Sequence, residues 1–337
     1  MAQPITPSHG HHHVIVLLEK LFLSTPIFNL PVPHTYELRE YERTSTDQLA
    51  YRIGDADIII RTVVPIQAEA LSETVSPKLK LVAVVGSGTD SVDLDACRTR
   101  RIMVANTPHC NTSAVAEHAI GMYFAARRSI TRCHRLTQAG EWAKRRILFN
   151  LLYGADGRAP RTCKDEVVGV LGYGGVGRKV ATIAEALGMK VLLAGRKGLP
   201  ETEGRVPFDE VISTASVIVL CLPKTESTID YISTPELNSM GCHTVLINES
   251  RGGIVHEEAL VKALEKGIIA GAATDVFVKE PAGEKDSPLL SHRVQDLNLT
   301  TTPHVAWVAE ETSSNYLEML KTNIAGFVAG NPVNLVT

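Results

Sequence analysis

The sequence predicts an α/β protein with two domains, each built on a parallel sheet, and three observations support this. Short β-branched runs alternate with amphipathic stretches along the whole chain, which is typical of βαβ units. The 337 residues suffice for two domains of ordinary size. A glycine-rich turn in the middle of the chain opens a second such series. We therefore predict one domain at 111–303, inserted into a flavodoxin-like domain formed by 1–110 and 304–337.

The first third of the chain predicts five strands and three helices, because apolar runs there are bounded by turn residues. The predicted strands are 13–18, 35–38, 57–61, 81–85 and 102–104. The predicted helices are 47–53, 68–74 and 94–100.

A long helix is predicted at 114–137. Pro108 ends the strand before it, and Ser113 is a suitable N-cap. One face of this stretch is apolar. Four arginines fall mostly on other faces, where we expect solvent: Arg127, Arg128, Arg132 and Arg135.

The glycine-rich turn lies between an apolar strand at 167–171 and a helix at 178–187. Gly172 permits a tight turn, Gly174 has no Cβ to obstruct a pyrophosphate, and Gly177 permits close packing of helix on strand. This context predicts a Rossmann dinucleotide-binding domain. The predicted cofactor contacts are Gly172, Tyr173, Gly174, Gly175, Val176 and Gly177.

Further strands are predicted at 190–194, 217–222, 244–247, 268–273 and 299–301, with a closing helix at 309–329. The basic segment 140–164 is predicted to be a loop or an arm. Two crossings between the domains predict a hinge and a cleft.

Three polar side chains follow consecutive predicted strands: Arg251, Glu280 and His304. An arginine fork binds a carboxylate or a carbonyl, and a histidine donates a proton. A carboxylate beside that histidine favours the imidazolium form. Each residue taken alone is more consistent with an ordinary loop position. Their shared place at adjacent strand ends favours a site for hydride transfer to a 2-oxo acid.

The second strand of the inserted domain ends without the acidic residue that would bind the ribose of NAD. Gly195 stands at that position, and Arg196 and Lys197 follow it. Cations there favour the 2′-phosphate of NADP(H), and NAD(H) remains possible. The alternative is a solvated basic loop without a role in binding.

The composition excludes several other classes of function. A net charge of -3 without a basic stripe argues against nucleic acid and anionic membranes, and no apolar run approaches membrane-spanning length. Six scattered cysteines fit reduced thiols in a cytoplasmic protein. His9 and the run from His11 to His13 have no carboxylate or cysteine beside them in sequence, so no metal site is predicted.

Seven stretches in order resemble the D-isomer-specific 2-hydroxyacid dehydrogenase family over most of the chain. They are 85–93, 106–108, 116–119, 172–177, Asn248 with 250–252, 275–277 with 280–281, and 302–304. The resemblance implies a catalytic set of Arg251, Glu280 and His304, and usually a homodimer. It implies substrate contacts at Arg61, Ser87 and Gly88. It also implies cofactor contacts at Leu222, Pro223, Asn248, Ser250 and Asp275.

Within that family the sequence is most similar to the glyoxylate/hydroxypyruvate reductases. We therefore predict NADPH-dependent reduction of a 2-oxo acid to a D-2-hydroxy acid, with the proton from His304. Two alternatives stay open: an NAD-preferring dehydrogenase, and a nicotinamide-sensing scaffold similar to C-terminal-binding corepressors. Formate oxidation is less consistent with Glu280, since formate dehydrogenases of this fold have glutamine there.

Overall fold

The structure, a computed structural model, describes residues 10–200 and 202–337 and divides the chain into two compact units. The described part of unit 1 is 10–111 and 308–337, and unit 2 is Thr112–Trp307. The second boundary therefore falls four residues later than predicted. Backbone N–H groups of 304–306 donate to Asp275, which keeps this segment within unit 2.

Unit 1 contains a five-stranded sheet. Its strands are His12–Leu17 (β1), Thr35–Glu40 (β2), Ile58–Arg61 (β3), Leu81–Val84 (β4) and Met103–Ala105 (β5). All neighbours pair in parallel in the order β2-β1-β3-β4-β5. This order is typical of flavodoxin-like sheets and agrees with the predicted flavodoxin-like domain. Helices Thr46–Ile53 (α1) and Leu94–Arg100 (α2) connect strands of this sheet.

The predicted helix at 68–74 is wrong, because that segment forms successive turns. Arg100 contributes to the difference, because its guanidinium donates to the carbonyls of Leu71 and Ser72 at 2.6 and 3.3 Å. The Ser76 hydroxyl donates to the Ala70 carbonyl at 2.8 Å. These donors bind carbonyls that a regular helix would pair with its own N–H groups.

Unit 2 contains a six-stranded parallel sheet in the order β11-β10-β9-β8-β6-β7. Its strands are Val167–Leu171 (β6), Lys190–Leu193 (β7), Val217–Leu220 (β8), Val245–Asn248 (β9), Gly271–Thr274 (β10) and Leu299–Thr301 (β11). Its helices are Thr112–Arg127 (α3), Ile130–Gln138 (α4), Glu141–Arg145 (α5), Gly175–Ala186 (α6), Phe208–Thr214 (α7), Thr234–Ser239 (α8) and Glu257–Glu265 (α9). Because β6 lies between β7 and β8, the strand order reverses there, and such switch points bind ligands.

The central strands of unit 2 are continuous apolar runs because both faces of the sheet are covered. The helix after the first crossing differs from the prediction. It starts at Thr112, so Ser113 lies in its first turn, and it ends at Arg127. Ser129 has a φ of 47°, which ends the regular helix before α4 begins.

Arg127 is buried, contrary to the solvated face predicted for it. Its guanidinium donates to the Glu166 carboxylate at 3.0 Å and to the carbonyls of Ser216 and His243. A buried guanidinium is stable only when paired in this way. The segment 140–164 is irregular as predicted, apart from α5 and two short 3₁₀ turns.

Helix Glu310–Val328 (α10) returns the chain to unit 1, where Asn323 donates to the Asn106 carbonyl at 2.7 Å. Among the described residues, no helix is both long enough and apolar enough to cross a bilayer.

Candidate active site

The turn between β6 and α6 has the geometry expected of a pyrophosphate cradle. Gly172 has a φ of 95°, and a Cβ there would collide with the Cys221 carbonyl. A Cβ on Gly177 would collide with the Gly172 carbonyl, so helix and strand approach as only glycine permits. At Gly174, which is exposed, a Cβ would meet nothing within 4 Å. This open space at a helix N-terminus fits an anionic phosphate group.

The loops after β8 and β9 are joined through Ser250. Its hydroxyl donates to the Leu220 carbonyl and accepts from the Leu222 N–H at 3.1 Å. Asn248 accepts from the Ser250 N–H and donates to the Arg251 carbonyl, each at 3.1 Å. Leu222, Asn248 and Ser250 therefore have a visible role in holding the backbone of Arg251.

Gly252 brings the Arg251 loop against the next one. A Cβ on Gly252 would collide with the Phe277 carbonyl, so this contact requires glycine. Arg251 donates from Nη1 to the Ser250 carbonyl at 2.8 Å. Its positive charge also reaches the Glu280 carboxylate and favours the ionised form of that group.

Glu280 and His304 are in direct contact, with Nδ1 of His304 2.6 Å from Oε2 of Glu280. The other carboxylate oxygen accepts from the Phe277 N–H at 2.9 Å. Burial opposes ionisation of Glu280, but the hydrogen bonds from His304 and Phe277 and the charge of Arg251 hold its pKa below the usual value. Since Nδ1 faces the carboxylate, Nε2 is the ring nitrogen left for a substrate.

The loop that carries His304 is fixed by Asp275. The Asp275 carboxylate accepts from the Thr302 hydroxyl and from the N–H groups of Val305 and Ala306, at 2.6 to 2.9 Å. Its backbone carbonyl accepts from the His304 N–H at 2.7 Å. His304 itself has a φ of 54°, in the left-handed region. Asp275 is thus a positioning residue for the histidine, a role that its sequence position did not reveal.

Sequence reasoning also missed a buried acid next to Asp275. The Glu249 side chain is fully buried, and neither of its oxygens has a hydrogen-bond partner among the described residues. Nε2 of His118 lies 4.0 Å from Glu249 and 3.9 Å from Asp275. Burial, with a smaller contribution from the negative charge of Asp275, raises the pKa of Glu249 to about 9. The only sequence signal was an acid directly before Ser250 and Arg251.

The buried Glu249 predicts that the protein loses stability as the pH rises. Its carboxyl group keeps a proton in the folded state up to about pH 9, whereas the unfolded chain releases it near 4.5. The folded state therefore binds more protons in this window, and the free energy of unfolding falls across it. Replacement Glu249→Gln should flatten this decline and add on the order of 3 kcal/mol at pH 7. Urea unfolding of both proteins at several pH values measures it.

An exposed glutamate of α6 provides the control, because Glu185→Gln should leave the pH dependence unchanged. If the free energy of unfolding fell with pH at the same slope in the wild type and in Glu249→Gln, the raised pKa assigned to Glu249 would be contradicted.

The cationic loop after β7 only partly agrees with the sequence prediction. Arg196 is exposed, as a phosphate contact requires. The Lys197 ammonium is engaged within the unit, 2.9 Å from the Tyr231 carbonyl and 2.9 Å from the Glu236 carboxylate. Sequence reasoning missed Arg205, whose guanidinium lies 4.7 Å from the ring centre of Tyr173. The backbone places it there, since the Gly195 N–H donates to the Val206 carbonyl.

The residues predicted to contact substrate from unit 1 lie after two neighbouring strands. Arg61 ends β3, is buried, and donates to the Ser91 hydroxyl at 2.6 Å. Burial lowers the pKa of Arg61 to about 10, although the negative charges of Glu19 and Asp90 act to raise it.

Ser87 and Gly88 follow β4 in a loop held by two side chains. Asn106 donates to the Ser87 carbonyl, and Thr107 accepts from the Gly86 N–H, each at 2.7 Å. Ser87 is exposed and therefore accessible to a ligand.

Comparison with known proteins agrees with this geometry. Residues 120–306 match the model of the D-isomer specific 2-hydroxyacid dehydrogenase NAD-binding domain. A glycerate dehydrogenase of Methylorubrum extorquens is 36% identical, over 96% of this chain and 98% of its own. A glyoxylate reductase of Thermococcus litoralis is 32% identical, over 86% of each chain.

Solved structures show the same similarity. A NADPH-dependent glyoxylate/hydroxypyruvate reductase of Sinorhizobium meliloti, in complex with NADP and malonate, superposes with a TM-score of 0.73. It is 25% identical and covers 96% of this chain and 97% of its own. The family model, the full-length relatives and the two parallel-sheet units lead to one conclusion. The chain belongs to the D-isomer-specific 2-hydroxyacid dehydrogenase family and is an oxidoreductase.

Proposed function

We propose that this protein reduces small 2-oxo acids of the glyoxylate and hydroxypyruvate type to D-2-hydroxy acids, with NADPH as the preferred coenzyme. The observation that carries the proposal is the 2.6 Å contact between His304 and Glu280, within reach of the Arg251 charge. A proton donor, the carboxylate that orients it and a guanidinium fork are the groups that assist addition of a hydride to a carbonyl.

In the proposed mechanism the bound nicotinamide supplies the hydride that is added to the substrate C2. The Arg251 guanidinium stabilises the negative charge that develops on the C2 oxygen. The His304 imidazolium delivers its proton to that oxygen from Nε2. Glu280 stabilises the charged ring before transfer and keeps Nδ1 turned away from the substrate. Ser87, Gly88 and Arg61 remain the predicted contacts for the substrate carboxylate.

The open cradle at Gly174 and the residues after β7 support the cofactor assignment. The contacts Gly172, Tyr173, Gly174, Gly175, Val176 and Gly177 would hold the pyrophosphate at the N-terminus of α6. Arg196 and Arg205 provide positive charge near the predicted ribose position, and residues 194–200, directly after β7, include no acid to bind a free 2′-hydroxyl. Lys197 is left out of this set because Glu236 engages it. The contacts predicted at Leu222, Pro223, Asn248, Ser250 and Asp275 stay predictions.

Coenzyme preference tests this assignment directly. We expect kcat/KM to be higher with NADPH than with NADH. We also expect Arg196→Ala to lower the NADPH value about 10–100-fold, the cost of one charge-assisted hydrogen bond. The NADH value should stay the same, because that coenzyme has no 2′-phosphate. Initial rates with both coenzymes measure the effect.

The exposed Lys179 of α6 offers a matched control, since Lys179→Ala also removes one surface cation. A clear preference of the wild type for NADH would refute the assignment.

The substrate class is tested with glyoxylate, hydroxypyruvate, pyruvate and bulkier 2-oxo acids, each followed by nicotinamide absorbance. We expect kcat/KM to be highest for glyoxylate and hydroxypyruvate, the two small polar substrates. No turnover with any of them, together with intact coenzyme binding, would favour the nicotinamide-sensing scaffold instead. A homodimer and a cytoplasmic location remain predictions from the family resemblance and the cysteine content.

A further inference from the structure

Several titratable side chains meet at the amino-terminal edge of the unit 1 sheet. The strand period of two places His11 and His13 on one side of β1. His12 points to the other side, where its Nδ1 lies 2.8 Å from the Thr35 hydroxyl. Asp57 directly precedes β3, the neighbour of β1, and His34 directly precedes β2. The fold thus supplies the carboxylate that the sequence does not place next to the histidine run.

Two atoms of this cluster have the separation of metal ligands, and the third residue lies within reach. Nε2 of His11 lies 3.2 Å from Oδ1 of Asp57. Ligands bound tetrahedrally at about 2.0–2.1 Å from Zn²⁺ lie roughly 3.3 Å from one another. A ring nitrogen of His13 completes the group, because one ligand atom from each of the three residues lies within 4.8 Å of the others.

His13 is prepared for metal binding in two further ways. It is 6% exposed, and its buried Nδ1 has no hydrogen-bond partner among the described residues. Its Nε2 lies 3.0 Å from Nδ1 of His34, the kind of outer contact that orients a ligating imidazole.

We infer that His11, His13 and Asp57 form a binding site for a divalent transition metal of the Zn²⁺ class, with His34 orienting His13. Two imidazoles and one carboxylate favour Zn²⁺ over Mg²⁺ or Ca²⁺, which prefer oxygen ligands. The His11 side chain is 47% exposed, so water can complete the coordination. The site lies at the strand starts, opposite the end of β3 that carries Arg61, and is therefore separate from the proposed reduction.

Lys80 sets the affinity of this site. Its ammonium lies 3.1 Å from Oδ1 of Asp57 and competes with a metal for that oxygen. The Lys80 side chain is 53% exposed and can turn into solvent, while the buried Asp57 carboxylate keeps its hydrogen bond from the Val14 N–H. Replacement Lys80→Met removes the competing cation and should tighten binding.

Calorimetric titration of the full chain with Zn²⁺ alone tests the inference. One equivalent should bind to the wild type and to His12→Ala with the same affinity. His11→Ala should bind at least tenfold more weakly, because even outer partners of a ligand are worth about 10–100-fold. Both substitutions remove one exposed histidine from β1 or its start, so folding should be equal. Equal affinity of the two variants, or no binding to the wild type, would overturn the site.

A second matched pair tests whether the histidines act merely as a flexible chelating tail. His9 lies outside the described residues, so His9→Ala/His12→Ala removes two histidines and leaves the proposed ligands. His11→Ala/His13→Ala removes two ligands. Only the second double variant should lose the bound equivalent, and reductase activity should persist in the first. Loss in the first double variant would show chelation by the run rather than by the folded site.

Discussion

His304→Asn should lower kcat by roughly 10²–10⁴-fold, the usual contribution of a positioned acid or base, while coenzyme affinity stays unchanged. Asparagine cannot donate a proton of suitable acidity to the C2 oxygen. It does tolerate the left-handed φ of 54° at this position, so the loop keeps its conformation. The backbone N–H bond to Asp275 also remains, because it involves no side-chain atom of His304. Steady-state kinetics and coenzyme titration by fluorescence measure the two effects separately.

A second histidine of unit 2 supplies the control. His292 lies 3.2 Å from the Glu284 carboxylate, and both side chains are exposed. His292→Asn should leave kcat unchanged. Near-normal turnover in His304→Asn would end the assignment of this residue as the proton donor.

Arg251→Lys should reduce kcat/KM by about 10²–10³-fold, which is typical of removing a donor that stabilises an oxyanion. Lysine keeps the positive charge near Glu280 but loses the planar fork that can bind a carbonyl oxygen and a carboxylate together. The loss should appear in kcat as well as in KM, because the guanidinium binds the developing charge more strongly than the ground state. Initial rates over a range of substrate concentrations separate the two.

Arg293→Lys is the matched control, because Arg293 also pairs with carboxylates, those of Glu258 and Glu265, but on an exposed surface. It should leave both kinetic constants unchanged. An Arg251→Lys enzyme with wild-type KM and kcat would exclude a direct role for the fork.

The strands could be predicted closely because their signal is local. Runs such as 58–60 and 217–219 are apolar and β-branched throughout, and strands covered on both faces need that composition. Predicted strand 299–301 and helix 94–100 match the observed bounds. The glycine turn could also be predicted, because its three spaced glycines, the strand before them and the helix after them all lie within one short segment.

The errors arose where distant residues decide a local conformation. Segment 68–74 has helical composition, but Arg100 donates a hydrogen bond to the Leu71 carbonyl within it. Nothing in the sequence of the segment itself indicates this contact. Arg127 was predicted to face solvent because its carboxylate partner, Glu166, lies 39 positions away in the sequence. The contact of His11 with Asp57 spans 46 positions and depends on strand order. Sequence spacing carries no information about such pairs.

The boundary at residue 307 has a consequence for how such proteins diversify. All three residues proposed to handle charge and proton belong to the same unit as the glycine turn, while the predicted substrate contacts Arg61, Ser87 and Gly88 belong to the other. Exchange of the first 111 residues and the final helix for those of a relative would therefore replace the predicted substrate contacts of unit 1 and leave Arg251, Glu280 and His304 unchanged. The proposed catalytic residues would all remain in the chimera, because unit 2 carries them as a module that evolution can reuse.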